Sequence, residues 1–196
     1  MKLTLVRHTS LDIAPNLCYG QSDVAVSNNF DIERQRLQVK LADYQFDSLY
    51  ASPLQRCHQL AQALCADSRL NMINRNIQLD ERLMELHFGD WEMTAWDAIP
   101  REDFDVWANN YEALAPPNGE TFGQLHLRSK QFVEELVAHA HNQHILVVTH
   151  GGVIRAMIAE VLQMPLKRLF RMTIDHASVT QLEFKGEIPK IHFMNL

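Results

Sequence analysis

The stretch Leu3-Thr4-Leu5-Val6-Arg7-His8 decides the fold that this sequence predicts. Its first four residues form a mostly apolar run that is typical of a buried β-strand, and Arg7 and His8 follow at the carboxyl end of that strand. In open α/β sheets, ligands bind just beyond the carboxyl ends of the strands. Because an arginine beside a histidine is costly to bury without a partner, the stretch predicts both a strand and a binding site at its end.

A second stretch repeats this arrangement far along the chain. Ile145-Leu146-Val147-Val148-Thr149 is another β-rich run, and it leads directly into His150-Gly151-Gly152. Two predicted strands therefore each end in a histidine, and the first strand also supplies an arginine. This combination points to an imidazole nucleophile that acts on an anionic substrate.

The composition predicts one globular domain over residues 1–196, with 46% hydrophobic residues and a net charge of −6. The negative charge and the lack of a Lys/Arg block argue against a nucleic-acid surface. No apolar stretch is long enough to span a bilayer, and Arg7-His8 interrupts the first apolar run too early for a signal peptide. Three cysteines without metal-ligand spacing predict reduced thiols in a cytoplasmic protein: Cys18, Cys57 and Cys65.

Segments of strand and helix character alternate along the chain. They predict an α/β fold of three layers, in which a mostly parallel central sheet lies between helices on both faces. The predicted strands are residues 2–6, 46–51, 72–79 and 144–149, followed by an antiparallel hairpin of 179–184 and 188–193 around Lys185-Gly186-Glu187. The predicted helices are residues 31–43, 54–66, 121–141 and 152–163.

Two local features add detail to this fold. Ser52-Pro53 predicts a helix start, with Ser52 as the N-cap and Pro53 at the first helical position. Residues 86–120 are irregular apart from a helical stretch near 101–114. We interpret residues 86–120 as a helical, lid-like insertion over the strand ends.

His8 is the candidate nucleophile, because a neutral imidazole nitrogen can attack phosphorus and hold a phosphoryl group covalently. Positive charge nearby favours the neutral ring near pH 7. The alternative is a histidine that caps a strand-end carbonyl, but Arg7 and His150 favour the catalytic role. His150 would bind a phosphate oxygen and stabilise charge in the transition state. Gly151-Gly152 would let the phosphate approach the backbone at a helix start.

Arg7 and Arg56 are the candidate phosphate clamps, because a planar guanidinium binds two phosphate oxygens at once. A solvated helix residue is the alternative for Arg56, and its position just beyond the second strand favours the clamp. Glu85 is the candidate general acid that protonates the leaving oxygen. Composition alone leaves three competitors for that role: Glu81, Glu92 and Glu120.

Together these motifs resemble the histidine phosphatase superfamily, which is also called the phosphoglycerate-mutase-like family. The resemblance covers nearly the whole chain, and the motifs occur in the family's order and spacing. They are Leu5-Val6-Arg7-His8, Ala51-Ser52-Pro53-Leu54-Gln55-Arg56, Leu83-Met84-Glu85-Leu86, Phe88-Gly89-Asp90-Trp91-Glu92, Asn118-Gly119-Glu120 and Val148-Thr149-His150-Gly151-Gly152. The resemblance implies the phosphoglycerate-mutase-like fold, a phosphohistidine at His8, Glu85 as the proton donor, and a phosphate pocket of Arg7, Arg56 and His150.

The chain departs from the family pattern directly after His8. The family usually has Gly and then Glu at these positions, whereas this chain has Thr9 and Ser10. Thr9 still offers a hydroxyl and a backbone N–H, so we expect phosphate binding to survive. The same resemblance implies that Gln21 and Glu120 lie in the wall of the pocket.

The sequence Arg7-His8-Thr9 and residues 18–23 are similar to the corresponding sequences of a subgroup of this family that is assigned as α-ribazole phosphatase. This similarity implies removal of the 5′-phosphate of α-ribazole during assembly of the cobalamin nucleotide loop. The expected partner is a small phosphomonoester, with no metal or other cofactor, because the sequence shows no carboxylate cluster for a metal. The alternatives are a broad small-molecule or sugar phosphatase, a phosphoglycerate mutase and, in a different class, a catalytically weak phosphate-binding regulatory protein.

The sequence does not assign one role to several other features. The oligomeric state is not predicted, and His58 and His87 lie near the motifs without a defined role. The lid tryptophans fit packing roles, or one of them could stack on a substrate base: Trp91, Trp96 and Trp107. Three histidines near a helix end suit the helix dipole, with a zinc site as the alternative: His139, His141 and His144.

Overall fold

The computed structural model describes residues 1–186 and 188–196. The strands are β1 (Lys2–Arg7), β2 (Gln45–Phe46), β3 (Ser48–Ala51), β4 (Asn71–Met72), β5 (Ile77–Leu79), β6 (His144–Thr149), β7 (Val179–Glu183) and β8 (Lys190–Phe193). The helices are α1 (Phe30–Leu41), α2 (Gln55–Ala66), α3 (Arg101–Asn110), α4 (Phe122–His139) and α5 (Gly151–Leu162). Short 3₁₀ turns span Glu81–Leu83, Gly89–Trp91 and Leu166–Arg171. None of the described helices is long and apolar enough to cross a bilayer.

The central sheet has the strand order β5-β3-β6-β1-β7-β8. β5, β3, β6 and β1 run parallel to one another, whereas β7 pairs antiparallel with both β1 and β8. The predicted α/β class with a mostly parallel sheet is confirmed, as is the closing hairpin. Glu187, in the predicted turn of that hairpin, lies outside the described residues.

Helices cover both faces of the sheet because side chains alternate along each strand. Leu5 and Val147 face a core built with α4 and α5, whereas Val6 and Val148 face a second core built with α1 and α2. A strand buried on both faces needs apolar residues at successive positions. This requirement explains the continuous apolar runs that mark β1 and β6 in the sequence.

Residues 86–120 pack against the first of these cores. Trp91 and Trp107 are buried in it, and α3 is the helix within the segment. The helix ends at Asn110 rather than near residue 114, and the following backbone N–H groups of residues 113 and 114 turn back to the Asn110 carbonyl. The aromatic side chains thus attach this segment to the core on that face of the sheet.

Two predicted strands are wrong in detail. Residues 46–51 form two strands instead of one, because the chain bends at Asp47. The Asp47 carboxylate accepts the His144 N–H at 2.7 Å. β2 on one side of Asp47 pairs with β4 in a separate two-stranded sheet, and β3 on the other side joins the central sheet. Residues 72–79 are likewise divided between β4 and β5.

The predicted start of α2 is also wrong. The helix begins at Gln55, so Pro53 is not its first residue and Ser52 is not its N-cap. The Ser52 hydroxyl instead lies 2.8 Å from His150 Nε2. Asp23, from a separate loop, accepts the Gln55 N–H at 2.8 Å and satisfies a donor of the first turn.

Candidate active site

The carboxyl ends of β1 and β6 bring the two predicted histidines together. The strands are adjacent and parallel, and Arg7 lies opposite Thr149 in the register. His8 and His150 therefore follow on neighbouring strands, and the His8 N–H donates to the Thr149 carbonyl at 3.0 Å. Both histidine side chains are buried, and their ring centroids lie 5.2 Å apart.

The tautomer of His8 is set by one hydrogen bond. His8 Nδ1 lies 2.7 Å from the carbonyl oxygen of Thr9. Because a carbonyl only accepts, Nδ1 carries the proton and Nε2 keeps a free lone pair. The structure describes no protein hydrogen bond to Nε2. Burial, followed by the charges of Arg56 and Arg7, lowers the pKa of His8 well below its usual value, so the ring is neutral and nucleophilic near pH 7.

Arg56 is a fully buried cation, which rules out the solvated role considered from the sequence. It lies in the first turn of α2, and its Nη1 and Nη2 donate to the carbonyls of Ser22 at 2.8 Å and Gly20 at 2.6 Å. Its Nε donates to His150 Nδ1 at 3.3 Å. No described carboxylate forms an ion pair with it. A buried charge without a counterion favours binding of an anion.

His150 is held between Arg56 and Ser52. Its Nδ1 accepts from Arg56 Nε, so Nε2 carries the proton and donates to the Ser52 hydroxyl at 2.8 Å. Burial, followed by the charge of Arg56, lowers the pKa of His150. His150 therefore orients the Arg56 guanidinium through Nδ1, and Ser52 holds the other side of the ring.

Arg7 and Thr9 carry buried donors without a protein partner. Arg7 Nη1 donates to the Ile174 carbonyl, and Nη2 lies 3.0 Å from His176 Nε2. Its Nε is buried without an acceptor, as is the Thr9 hydroxyl, among the residues that the structure describes. Such orphan donors are costly in a protein interior. A phosphate beside His8 would satisfy both.

His176 belongs to the site, and the sequence reasoning missed it. Its ring centroid lies 5.2 Å from that of His8, and burial, followed by the charge of Arg7, lowers its pKa to about 4. The antiparallel strand β7 delivers it, because the residues that precede β7 lie beside the carboxyl end of β1. The predicted hairpin over 179–193 did not specify that β7 pairs with β1, so the sequence alone did not place His176 at the site.

Glu85 reaches the same site from the 3₁₀ region. Its carboxylate oxygens accept the Leu86 N–H at 2.9 Å and the Gly152 N–H at 3.1 Å. A Cβ at Gly152 would lie 2.1 Å from Glu85 Oε1. The glycine therefore makes room for the carboxylate. At Gly151 the added Cβ would meet the guanidinium of Arg155 at 3.0 Å and that of Arg7 at 3.4 Å.

The backbone of Glu85 is fixed from two sides. Its carbonyl accepts from Gln21 Nε2 at 2.9 Å and from Arg128 Nη2 at 3.0 Å. Arg128 also forms an ion pair with Glu120, at 2.7 Å. Gln21 and Glu120, which the family resemblance placed in the pocket wall, thus hold the segment that carries Glu85. No sequence pattern marks Arg128, which lies in the middle of α4.

The carboxylates that competed with Glu85 have other environments. Glu81 is exposed to solvent. Glu92 accepts hydrogen bonds from Gln21 N at 2.8 Å and Phe88 N at 3.0 Å, and from the Ser22 hydroxyl. Through these bonds it orders the loop whose carbonyls hold Arg56.

The unusual pair Thr9-Ser10 divides between two surroundings. The Thr9 hydroxyl is buried without a partner among the described residues, whereas the N–H and hydroxyl of Ser10 each donate to the Glu33 carboxylate at 2.7 Å. The Ser10 hydroxyl also lies 2.7 Å from that of Ser27. Ser10 therefore anchors the loop after β1 to α1.

A cavity of about 240 Å³ opens beside Glu85 and Gly152. Its walls are mainly apolar and aromatic, and the guanidinium of Arg155 is the cationic group in them. This composition suits an uncharged or partly anionic leaving group. The other lining residues are Pro15, Leu17, Tyr19, Gly20, Leu86, Phe88, Trp96, Phe122 and Phe170.

Three of the remaining histidines form contacts elsewhere. His87 Nε2 lies 3.9 Å from the Glu92 carboxylate, and His144 Nε2 bonds the Thr4 hydroxyl at 2.8 Å at the opposite end of β6. His139 bonds a carbonyl within its own helix. In the part of the chain that the structure covers, no three His, Cys, Asp or Glu side chains are arranged to hold a metal ion.

Known proteins share this architecture over the full chain. The model of the histidine phosphatase superfamily (branch 1) matches residues 3–196. An adenosylcobalamin/α-ribazole phosphatase of Escherichia coli is 28% identical over 100% of this chain and 96% of its own. A phosphoserine phosphatase 1 of Hydrogenobacter thermophilus is 27% identical over 94% and 87%. The crystal structure of the α-ribazole phosphatase from Shigella flexneri superposes with a TM-score of 0.88 at 26% identity, covering 100% of this chain and 96% of that one. The chain belongs to the histidine phosphatase superfamily, branch 1.

Proposed function

We propose that this protein hydrolyses phosphomonoesters through a phosphohistidine formed on His8. The observation that carries the proposal is the state of the His8 ring: Nδ1 donates to the Thr9 carbonyl, and Nε2 has a free lone pair. The depressed pKa of His8 keeps that lone pair available near pH 7. The fully buried Arg56 lies beside it and supplies the positive charge that a phosphate requires.

In the first step, His8 Nε2 attacks phosphorus in line with the leaving oxygen. The N–P bond forms as the P–O bond breaks, and Glu85 transfers its proton to the leaving oxygen. Arg7 Nε, the Arg56 guanidinium and the Thr9 hydroxyl stabilise the charge on the phosphoryl oxygens. His150 contributes by orienting Arg56, because its Nδ1 accepts from Arg56 Nε.

In the second step, water attacks the phosphohistidine. The Glu85 carboxylate accepts the proton of the water as the new P–O bond forms and the P–N bond breaks. The electron pair returns to Nε2, so His8 regains its neutral form and Glu85 its proton. Free phosphate is the product, which distinguishes this hydrolase from a mutase that returns the phosphoryl group to an acceptor.

α-Ribazole 5′-phosphate is the substrate that we propose. The curated relative from E. coli and the Shigella structural neighbour carry the name of α-ribazole phosphatase. The aromatic walls of the cavity beside Glu85 suit a nucleoside leaving group better than a small hydrophilic one. Phosphoserine is the second candidate, because the Arg155 guanidinium in the same cavity would pair with a carboxylate and a phosphoserine phosphatase is among the relatives.

Three further features belong to this proposal. Residues 86–120 act as a lid-like insertion on a single domain, supported by their aromatic side chains that line the cavity beside Glu85. The protein works in the cytoplasm, which agrees with three unpaired cysteines. Its partner is the small phosphomonoester alone.

The test is phosphate release from a panel of phosphomonoesters by the wild type and His8→Ala. We expect kcat/KM for α-ribazole 5′-phosphate to exceed that for phosphoserine, sugar phosphates and phosphoglycerates by at least about tenfold. His8→Ala should lose on the order of 10³-fold or more on every substrate. A preference for phosphoserine would overturn the substrate, and near-wild-type activity of His8→Ala would overturn the mechanism.

A further inference from the structure

A second cavity adjoins the one beside Glu85, and it belongs to no step of the mechanism. It has a volume of about 310 Å³ and is lined by Phe88, Trp96, Phe104, Trp107, Ala108, Tyr111 and Phe170. Three of these residues, Phe88, Trp96 and Phe170, also line the inner cavity, so the two spaces are neighbours with shared walls. We call the space beside Glu85 the inner cavity and this second space the outer cavity.

The walls of the outer cavity present flat aromatic surfaces. Trp96 and Trp107 are nearly parallel, with an angle of 20° between their planes and 6.4 Å between their centroids. Phe88 meets both indoles edge to face, at 5.2 Å from Trp96 and 5.8 Å from Trp107. Aromatic walls in these orientations bind a planar ring by stacking and edge contacts.

Trp107 contributes its ring face to this wall rather than its polar atom. The side chain is 7% exposed, and its indole N–H is buried without an acceptor among the described residues. Because the nitrogen itself is buried, a ligand in the open outer cavity would not reach it. The wall therefore selects for a flat apolar surface.

The exposure of Phe170 indicates independently that a ligand covers the outer cavity when it is bound. This large apolar side chain is 54% exposed, although it lines both cavities and lies beneath the Arg155 guanidinium at 5.6 Å. Exposed aromatic surface that is continuous with a binding cavity marks a ligand site. The inner cavity would hold the part of the leaving group next to the ester oxygen, and Phe170 would pack against the more distant part.

We propose that the outer cavity is a subsite for a planar aromatic group carried by the leaving group of the substrate. The subsite rests on the proposed phosphomonoesterase function. It selects substrates whose leaving group continues through a short spacer, such as a pentose, from the inner cavity into the outer one. Compact substrates such as phosphoserine fill only the inner cavity.

Ala108 offers a way to fill the outer cavity alone. It lines the outer cavity but not the inner one, and it lies on α3. Ala108→Phe should lower the ratio of kcat/KM for α-ribazole 5′-phosphate to kcat/KM for phosphoserine by at least about tenfold. Asn110→Leu, an exposed position on the same helix, is the matched control and should leave the ratio unchanged. An equal loss on both substrates, or an unchanged ratio in Ala108→Phe, overturns the subsite.

A binding measurement separates this inference from the proposed function. We would titrate the wild type and Ala108→Phe with α-ribazole, which lacks a phosphate, and follow indole fluorescence. We expect saturable quenching of the wild type and at least about tenfold weaker binding by Ala108→Phe. Because no phosphoryl group is transferred, this result does not depend on His8. Absence of saturable binding to the wild type, or equal binding by both proteins, overturns the subsite, whereas failure of phosphate release with binding intact overturns only the function.

Discussion

The two ends of the site differ in how they are built. At the phosphate end, His8, His150 and Arg56 are at most 1% exposed and come from strand ends and a helix start. At the leaving-group end, most of the aromatic walls come from residues 86–120 and from the 3₁₀ turn that carries Phe170, which is 54% exposed, and residues 15–20 add to the inner cavity. The first end is charged and hydrogen-bonded, and the second is aromatic and partly open.

This difference separates chemistry from selectivity. Strands buried on both faces hold the reacting groups in one geometry, and buried hydrogen bonds fix their protonation. A segment that packs through aromatic side chains can change shape and composition without disturbing that geometry. Changes at the phosphate end should therefore affect all substrates alike, whereas changes at the leaving-group end should alter their ranking.

Among the variants that test this difference between the two ends, Arg56→Lys is expected to have the largest effect on kcat/KM. Lysine keeps the charge but loses the planar fork that bonds Ser22, Gly20 and His150 together, so kcat/KM should fall by about 10²- to 10³-fold. The fall should be equal for α-ribazole 5′-phosphate and phosphoserine. Steady-state kinetics on both substrates measures it, with the exposed Arg69→Lys as the control. A loss confined to one substrate would contradict the division between the two ends.

Glu85→Gln should separate substrates by their leaving group. The amide cannot donate a proton as the acid does, so alkyl phosphates should lose about 10²-fold or more in kcat. Aryl phosphates with good leaving groups, such as p-nitrophenyl phosphate, need no proton and should lose far less. The exposed Glu81→Gln serves as the control. Equal losses on both classes would rule out the acid role.

A smaller effect is expected from Ser52→Ala, which removes the partner of His150 Nε2. Without the hydroxyl, His150 loses the bond that sets its tautomer and orientation, and kcat should fall by about tenfold on all substrates. Ser129→Ala changes another buried serine, whose hydroxyl bonds a carbonyl within α4, and should leave kcat as it is. If Ser52→Ala matched Ser129→Ala, the proposed role of Ser52 in orienting His150 would be wrong.

The buried histidines also predict how stability depends on pH. Burial lowers the pKa of His176 and His144 to about 4, and burial lowers that of His8 and His150 well below the usual 6.5. Below pH 6.5 the unfolded chain therefore binds more protons than the folded chain. Stability is fully present above pH 6.5 and is lost as the pH falls toward about 4.

Thermal melts check this expectation. Tm should fall by at least about 5 °C between about pH 7 and about pH 5, since each unit of pKa shift corresponds to about 1.4 kcal/mol. His141→Gln, which changes an exposed histidine, should not alter the profile. A flat profile over this range would mean that the buried rings take up protons as readily in the folded state as in the unfolded one.

The sequence predicts that His8, His150 and Arg7 lie together because their positions follow strong local patterns. Buried parallel strands need continuous apolar runs, and polar residues directly after such runs meet at one edge of the sheet, which locates His8, His150 and Arg7. Ser52 resembled an N-cap because local rules favour that role, whereas its hydroxyl bonds a residue that follows β6. That contact joins distant segments and leaves no local pattern.

The sequence does not predict the side-chain arrangement at the leaving-group end. Tryptophans in an irregular segment show that it packs, but not which rings face the cavity or which indole N–H lacks a partner. The role of Arg128 is not predictable from the sequence either, because an arginine in the middle of a helix is usually solvated. In the structure it bonds the Glu85 carbonyl and Glu120. His176 depends on the pairing of β7 with β1, which the hairpin pattern alone does not specify.

The central claim is that His8 Nε2 carries the phosphoryl group, and trapping of the intermediate tests it most directly. The wild type would be mixed with α-ribazole 5′-phosphate, quenched in alkali within the first turnover, and examined by phosphorus NMR and peptide mass spectrometry. We predict a phosphoramidate at Nε2 of His8, formed at least as fast as kcat. Phosphate on another residue, or release of product in the first turnover without any phosphorylated enzyme, would contradict this claim.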